Sequence, residues 1–135
     1  MVKNRGRWVH GARAALYVAL IACVVGACAS KGYWNGVSTG NSGECVPFNF
    51  EITVRDGRIT GWAVTEFERW TVSWDVHGEV TADGLVSLET TTEDPRTQQQ
   101  QLSWTGTAKP FSLSLVEQTS DEVCPTPRSA TLKRH

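Results

Sequence analysis

Residues 48–63 read FNFEITVRDGRITGWA, and the fold turns on them. Phe48, Phe50, Ile52 and Val54 stand two apart, with Asn49, Glu51, Thr53 and Arg55 between them. Successive side chains of a strand point to opposite faces, so this alternation describes a strand with one apolar face. Asp56-Gly57 follows. A type I′ hairpin needs positive φ at both central positions, and Asp-Gly tolerates that. A two-residue turn also fixes the register. Val54 is then opposite Ile59, Ile52 opposite Gly61 and Phe50 opposite Ala63. Large residues facing small ones fill the taper of a small barrel. The same register puts Trp62 on the outer face with Thr60 and Val64, unless a bulge reverses it.

The plan repeats downstream. Trp70, Val72, Trp74, Val76 and Val80 share one parity, and Thr71, Ser73, Asp75, His77 and Glu79 hold the other. Ala82-Asp83-Gly84 predicts a short loop with Gly84 left-handed, pairing Val80 with Val86 and Gly78 with Leu88. Glu93-Asp94-Pro95 marks the next turn. A strand over Gln98 to Gly106 follows, with Leu102 and Trp104 inward. Lys109-Pro110 ends it, and Phe111, Leu113 and Leu115 alternate in the next. A last strand over Ser129 to Lys133 and an early one around Tyr33-Trp34 bring the count to about eight. The expected fold is all-β: a small up-and-down antiparallel barrel or meander over residues 32–135. Alternation is the same in open and closed sheets, so closure stays open at this stage.

The first part of the chain has a different character. Met1 to Arg13 is basic and polar, and Ala14 to Ala27 (AALYVALIACVVGA) is apolar and uncharged. A membrane-spanning helix needs about 20 apolar residues, so this shorter run fits the h-region of a signal peptide. It ends in Val25-Gly26-Ala27-Cys28, which resembles a bacterial lipobox: an aliphatic residue, two small ones, then the cysteine that takes the lipid. The resemblance implies a signal peptide over residues 1–27, a lipidated N-terminus and short linker over 28–31, and a lipid-anchored envelope protein. Leu20-Ile21-Ala22-Cys23 competes, with bulky Ile21 where a small residue is preferred. Ala29, not Asp, follows Cys28, which by enterobacterial sorting implies the outer membrane, with the domain facing the periplasm or the cell surface.

Cysteine use follows from that address. The lipobox resemblance implies that Cys23 leaves with the signal and Cys28 carries the lipid, so that Cys45 and Cys124 remain as a pair in an oxidising compartment. A Cys45–Cys124 disulfide is expected, with two free thiols as the alternative. The two cysteines lie near opposite ends of the domain, so the disulfide predicts that the first and last strands are neighbours, as in a closed barrel.

Charge limits the partners. Of 13 Lys and Arg residues four precede Ala27, which leaves nine against 14 Asp and Glu residues. An acidic domain without a basic cluster argues against nucleic acid. Asp75, His77 and Glu79 leave one face of a strand, but a structural zinc site takes about four ligands, and only His77 and His135 remain after processing. The solvated face of a strand is the expectation, with no metal and no cofactor. Glu66, Glu68, Glu93 and Asp94 read as loop charges. No phosphate loop, dinucleotide fingerprint or nucleophile motif is present, so the expected role is not enzymatic.

Gly32-Tyr33-Trp34-Asn35-Gly36, the alternating strand, the Asp-Gly turn and Ile59-Thr60-Gly61 together resemble the start of avidin-like and lipocalin-like barrels over residues 32–64. The later tryptophan motifs of avidins have no counterpart, so biotin binding is not implied. The expected role is a binding or structural module of the envelope, with Trp62, Trp70, Trp74 and Trp104 as the candidate binding surface for a small apolar ligand or an envelope protein. Trp34, Gly43 and Cys45 are also similar to the opening of inhibitor barrels on proteobacterial lipoproteins, which implies a periplasmic protease inhibitor as the alternative. That family closes its disulfide over a short span, whereas Cys124 is the partner on offer here.

Overall fold

The structure is a computed structural model that describes residues 30–40, 45–118, 124 and 126–135. The signal sequence, Cys23, Cys28 and Gly43 lie outside the described residues. Eight strands run β1 (Gly32–Val37), β2 (Phe48–Arg55), β3 (Arg58–Glu66), β4 (Thr71–Val80), β5 (Leu85–Thr91), β6 (Gln101–Ala108), β7 (Ser112–Glu117) and β8 (Ser129–Arg134). Each pairs antiparallel with its sequence neighbour, and β1 pairs with β8, so the sheet closes into an up-and-down barrel. The expected proximity of first and last strands is realised by closure itself, which leaves no free sheet edge.

The decisive hairpin forms in the expected register, with Val54 opposite Ile59, Ile52 opposite Gly61 and Phe50 opposite Ala63. Asp56 and Gly57 take φ of 51° and 74°, the positive values of a type I′ turn. Gly61 has φ of 150°, and a Cβ there would collide with the Glu51 carbonyl. Glycine lets β2 and β3 approach closely here without a Cβ in the way. Across β4 and β5, Val80 faces Val86 and Gly78 faces Leu88, as expected.

The interior of an eight-stranded barrel is just wide enough for side chains to fill. Here Trp34, Ile52, Val54, Ile59, Leu113 and Leu132 are among the residues buried inside it. Each fully covered indole finds a partner, as a buried N–H must. Trp34 Nε1 donates to the Ser30 carbonyl at 2.6 Å, Trp74 Nε1 to Thr65 Oγ1 at 3.1 Å and Trp104 Nε1 to Thr90 Oγ1 at 3.1 Å.

Three sequence expectations shift at strand ends. Trp70 precedes β4 and stands 37% exposed rather than sharing the buried side of Val72 and Trp74. Its place is in a turn, where strand parity no longer dictates direction. Phe111 also precedes its strand and is 82% exposed, while Leu113 and Leu115 are buried. Pro110 lies in the turn that separates Phe111 from the β6 ladder. The sixth strand begins at Gln101, not Gln98, because residues 92–100 form a loop closed by Thr92 N–H donating to the Gln100 carbonyl at 2.9 Å.

The two ends of the barrel differ. At one end lie the Asp56-Gly57 turn, the β4–β5 turn, the β6–β7 turn and the chain entering β1 and leaving β8. At the other lie the connections β1–β2, β3–β4, β5–β6 and β7–β8. We refer to these as the closed end and the mouth.

Candidate functional site

Described residues of all four connections line the mouth, Val46, Phe67, Trp70, Arg96 and Arg128 among them. The 67–70 turn is closed by Phe67 N–H donating to the Trp70 carbonyl at 2.8 Å. That closure brings the Phe67 and Trp70 rings into a stack, 5.3 Å between centroids and 24° from parallel. The Arg96 guanidinium lies 5.4 Å over the Trp70 ring, a distance at which the ring quadrupole attracts a cation.

Arg96 is held there by Asp94. Arg96 Nε donates to Asp94 Oδ1 at 2.9 Å and Nη2 to Oδ2 at 2.6 Å, a two-pronged match of fork to carboxylate. The same carboxylate takes the Arg96 backbone N–H at 2.9 Å, and Thr97 Oγ1 donates to the Asp94 carbonyl at 2.9 Å. The Glu93-Asp94-Pro95 turn signal is therefore the device that shapes the rim. The side-chain hydrogen bonds from Arg96, then its backbone N–H, hold the Asp94 carboxyl down to about 2.

Below the rim lies an aromatic floor. Phe48 packs 5.0 Å from Trp74 and 5.3 Å from Trp104, and Phe50 meets Trp104 edge-on at 5.1 Å. One side of the mouth is charged. Glu117, at the inward position after Leu113 and Leu115, is buried, and its Oε2 lies 3.2 Å from Arg128 Nη1. Arg128 also stands 5.0 Å over the Phe48 ring and donates from Nη2 to Cys124 Sγ at 2.9 Å. The Cys45–Cys124 disulfide, across 79 residues with Cα atoms 5.3 Å apart, ties the β1–β2 and β7–β8 connections together beside it.

These groups line a half-open cavity of about 140 Å³, walled by Phe48, Phe67, Trp70, Trp74 and Leu102, with Glu117 and Arg128 on one side and Arg96, Gln98 and Gln99 at the rim. An apolar cavity of about 150 Å³ accepts a molecule the size of benzene. The arrangement can take one ring or the tip of an acyl chain, and meet a polar head at its rim.

The candidate tryptophans separate into three places. Trp70 and Trp74 line the cavity. Trp104 lies beneath it, fully buried in the floor. Trp62 is 51% exposed on the outer face of β3, between Glu51 and Asp75 on the adjacent strands, in the register expected for it. His77 is drawn to Glu89 across β4 and β5, Nε2 to Oε2 3.3 Å, and among the described residues no three His, Cys, Asp or Glu side chains gather as a metal site would require.

Sequence reasoning missed Glu117, Arg128 and the rim residue Arg96. Glu117 had a signal: it continues the inward parity of Leu113 and Leu115, and a carboxylate there must find a cation. Arg128 lies outside any alternating run and has no comparable mark. No protein-family model, curated protein or solved structure matches the chain.

Proposed function

We propose that this chain is a lipid-anchored envelope lipoprotein whose barrel is a non-catalytic binding module, taking the apolar end of a small amphipathic molecule into its mouth. The cavity over the Phe48–Trp74 floor carries this reading. It joins apolar walls to a few convergent polar groups, the usual make-up of a small-molecule site. Lipid attachment at Cys28 rests on the lipobox resemblance, and an outer-membrane address on Ala29. The disulfide is consistent with an oxidising compartment.

The test is native mass spectrometry of the full-length product, isolated unreduced from the envelope of the producing cell. A diacylglyceryl or triacyl mass increment supports the anchor. A small adduct that leaves on denaturation and whose binding Trp74→Ala abolishes supports the mouth as its site. An adduct that persists in the Trp74→Ala and Leu102→Ala variants would place the ligand elsewhere.

A further inference from the structure

We infer that the closed end of the barrel is a membrane-contact face for anionic phospholipid, so that the mouth points away from the bilayer. The inference rests on the lipid anchoring proposed above and adds to it an orientation and a second binding surface. Three independent features meet at that end.

The first is where the anchor would enter. Ser30 is buried, and its carbonyl accepts the Trp34 indole N–H at 2.6 Å. Ser30 follows Cys28 by two residues. Two residues span at most about 7 Å, so a lipid on Cys28 would hold the closed end against the headgroups.

The second is apolar. Phe111 is 82% exposed at the tip of the β6–β7 turn, and Leu85 is 54% exposed at the start of β5. The two turns are joined directly, since Ala108 N–H donates to the Gly84 carbonyl at 2.8 Å. The Lys109 N–H donates to the Ser112 carbonyl at 2.8 Å, which holds the Phe111 turn in shape. An aromatic ring and an aliphatic side chain raised on rigid turns are suited to the headgroup–acyl boundary, where such groups anchor surface proteins.

The third is charge. Among the described residues, the closed end exposes Lys31, Arg55, Arg58, Lys109, Lys133 and Arg134 against Asp56, Glu79 and Asp83. The mouth reverses this: Glu66, Glu68, Glu93, Asp94 and Glu117 stand against Arg69, Arg96 and Arg128. An acidic domain with six of its nine basic residues at the end that carries Phe111 is polarised along the barrel axis. Basic groups at a membrane surface are drawn to anionic lipid within a Debye length.

The experiment uses the full-length product from the envelope, reconstituted in vesicles of phosphatidylethanolamine and phosphatidylglycerol. An environment-sensitive fluorophore is placed on Phe111→Cys or, at the mouth, on Glu68→Cys. Quenching by doxyl-labelled lipid is expected to be several-fold stronger at position 111. Replacing phosphatidylglycerol by phosphatidylcholine, or introducing Arg58→Glu with Lys109→Glu, should shrink that difference. Equal quenching at both positions, or stronger quenching at 68, overturns the inference. So does a blue shift at 111 without lipid, which would identify a protein occupant instead. Intact mass tests the anchor separately. If no lipid is attached, flotation of the same chain with anionic vesicles decides the face: flotation abolished by Phe111→Ser with Lys109→Glu upholds it, and no flotation overturns it.

Discussion

Glu117 is the only carboxylate buried among the described residues. Its position after Leu113 and Leu115 follows from strand parity; its charge is tolerated because Arg128 reaches it at 3.2 Å. Removing one member of a buried pair leaves the other charge desolvated and alone, which costs about 3–5 kcal/mol. Arg128→Met is therefore expected to lower stability in urea by about 3 kcal/mol, while Arg128→Met with Glu117→Leu recovers most of that loss. Chemical denaturation of the single and double variants checks both. A single variant as stable as the parent would mean that cavity water already solvates the pair. Asp94 allows a pH prediction of different character. Its carboxyl titrates below its ordinary value because Arg96 donates to it. Such a group contributes stability that is present above the unfolded value near 4 and lost as pH falls through its folded value, about 2. The rim should hold its shape at pH 4 and loosen toward pH 2. The Asp94 side-chain carbon resonance, followed by NMR, should show a midpoint near 2 that moves toward the ordinary range in Arg96→Gln.

At the scale of single elements, the β2–β3 hairpin was legible in full because two local rules agree there. Alternation chooses the face and the Asp-Gly turn chooses the register. Reading weakened where one rule acted alone. Trp70 and Phe111 fit the parity of the strands that follow them, yet both sit in turns, and parity binds only residues within a ladder. Gln98, Gln99 and Gln100 fall in the 92–100 loop rather than in β6, because that loop is closed by Thr92 and Gln100 and shaped by Asp94 and Thr97, contacts that no periodicity announces. The mouth was the least legible region, because it is assembled from four connections and its key pair spans β7 and a loop. Gly61 gives the hairpin its sharpest test. Alanine there must accept φ of 150° and displace the Glu51 carbonyl. Strain of this kind costs about 1–3 kcal/mol, so Gly61→Ala is expected to lower the thermal midpoint by several degrees, whereas Ala63→Gly on the same strand should cost less. Parallel melts of the two variants distinguish a local backbone demand from a general loss of sheet.

On the scale of the whole molecule, the barrel closes twice: once through the β1–β8 pairing and once through the disulfide. The β1–β8 register is short, with Trp34 opposite Arg134 and Asn35 opposite Lys133. An additional bridge joins Ser38 to Ala130 closer to the mouth. The covalent link lies beyond that bridge and holds the same two ends of the chain, Cys45 before β2 and Cys124 before β8. A crosslink closing a loop of about 80 residues removes enough unfolded-state entropy to stabilise by about 4 kcal/mol. The mouth depends on it as well, since Arg128 donates to Cys124 Sγ while it holds Glu117. Reduction should therefore act on stability and on the site together. Cys45→Ser with Cys124→Ser is expected to lower the urea midpoint by an amount equivalent to about 4 kcal/mol. It should also raise hydrogen exchange first in residues 126–129 and then along the β1–β8 seam, before β3 and β4 open. If exchange rose uniformly across all eight strands, the disulfide would be acting on the unfolded chain alone, and the integrity of the mouth would rest on the Glu117–Arg128 pair without it.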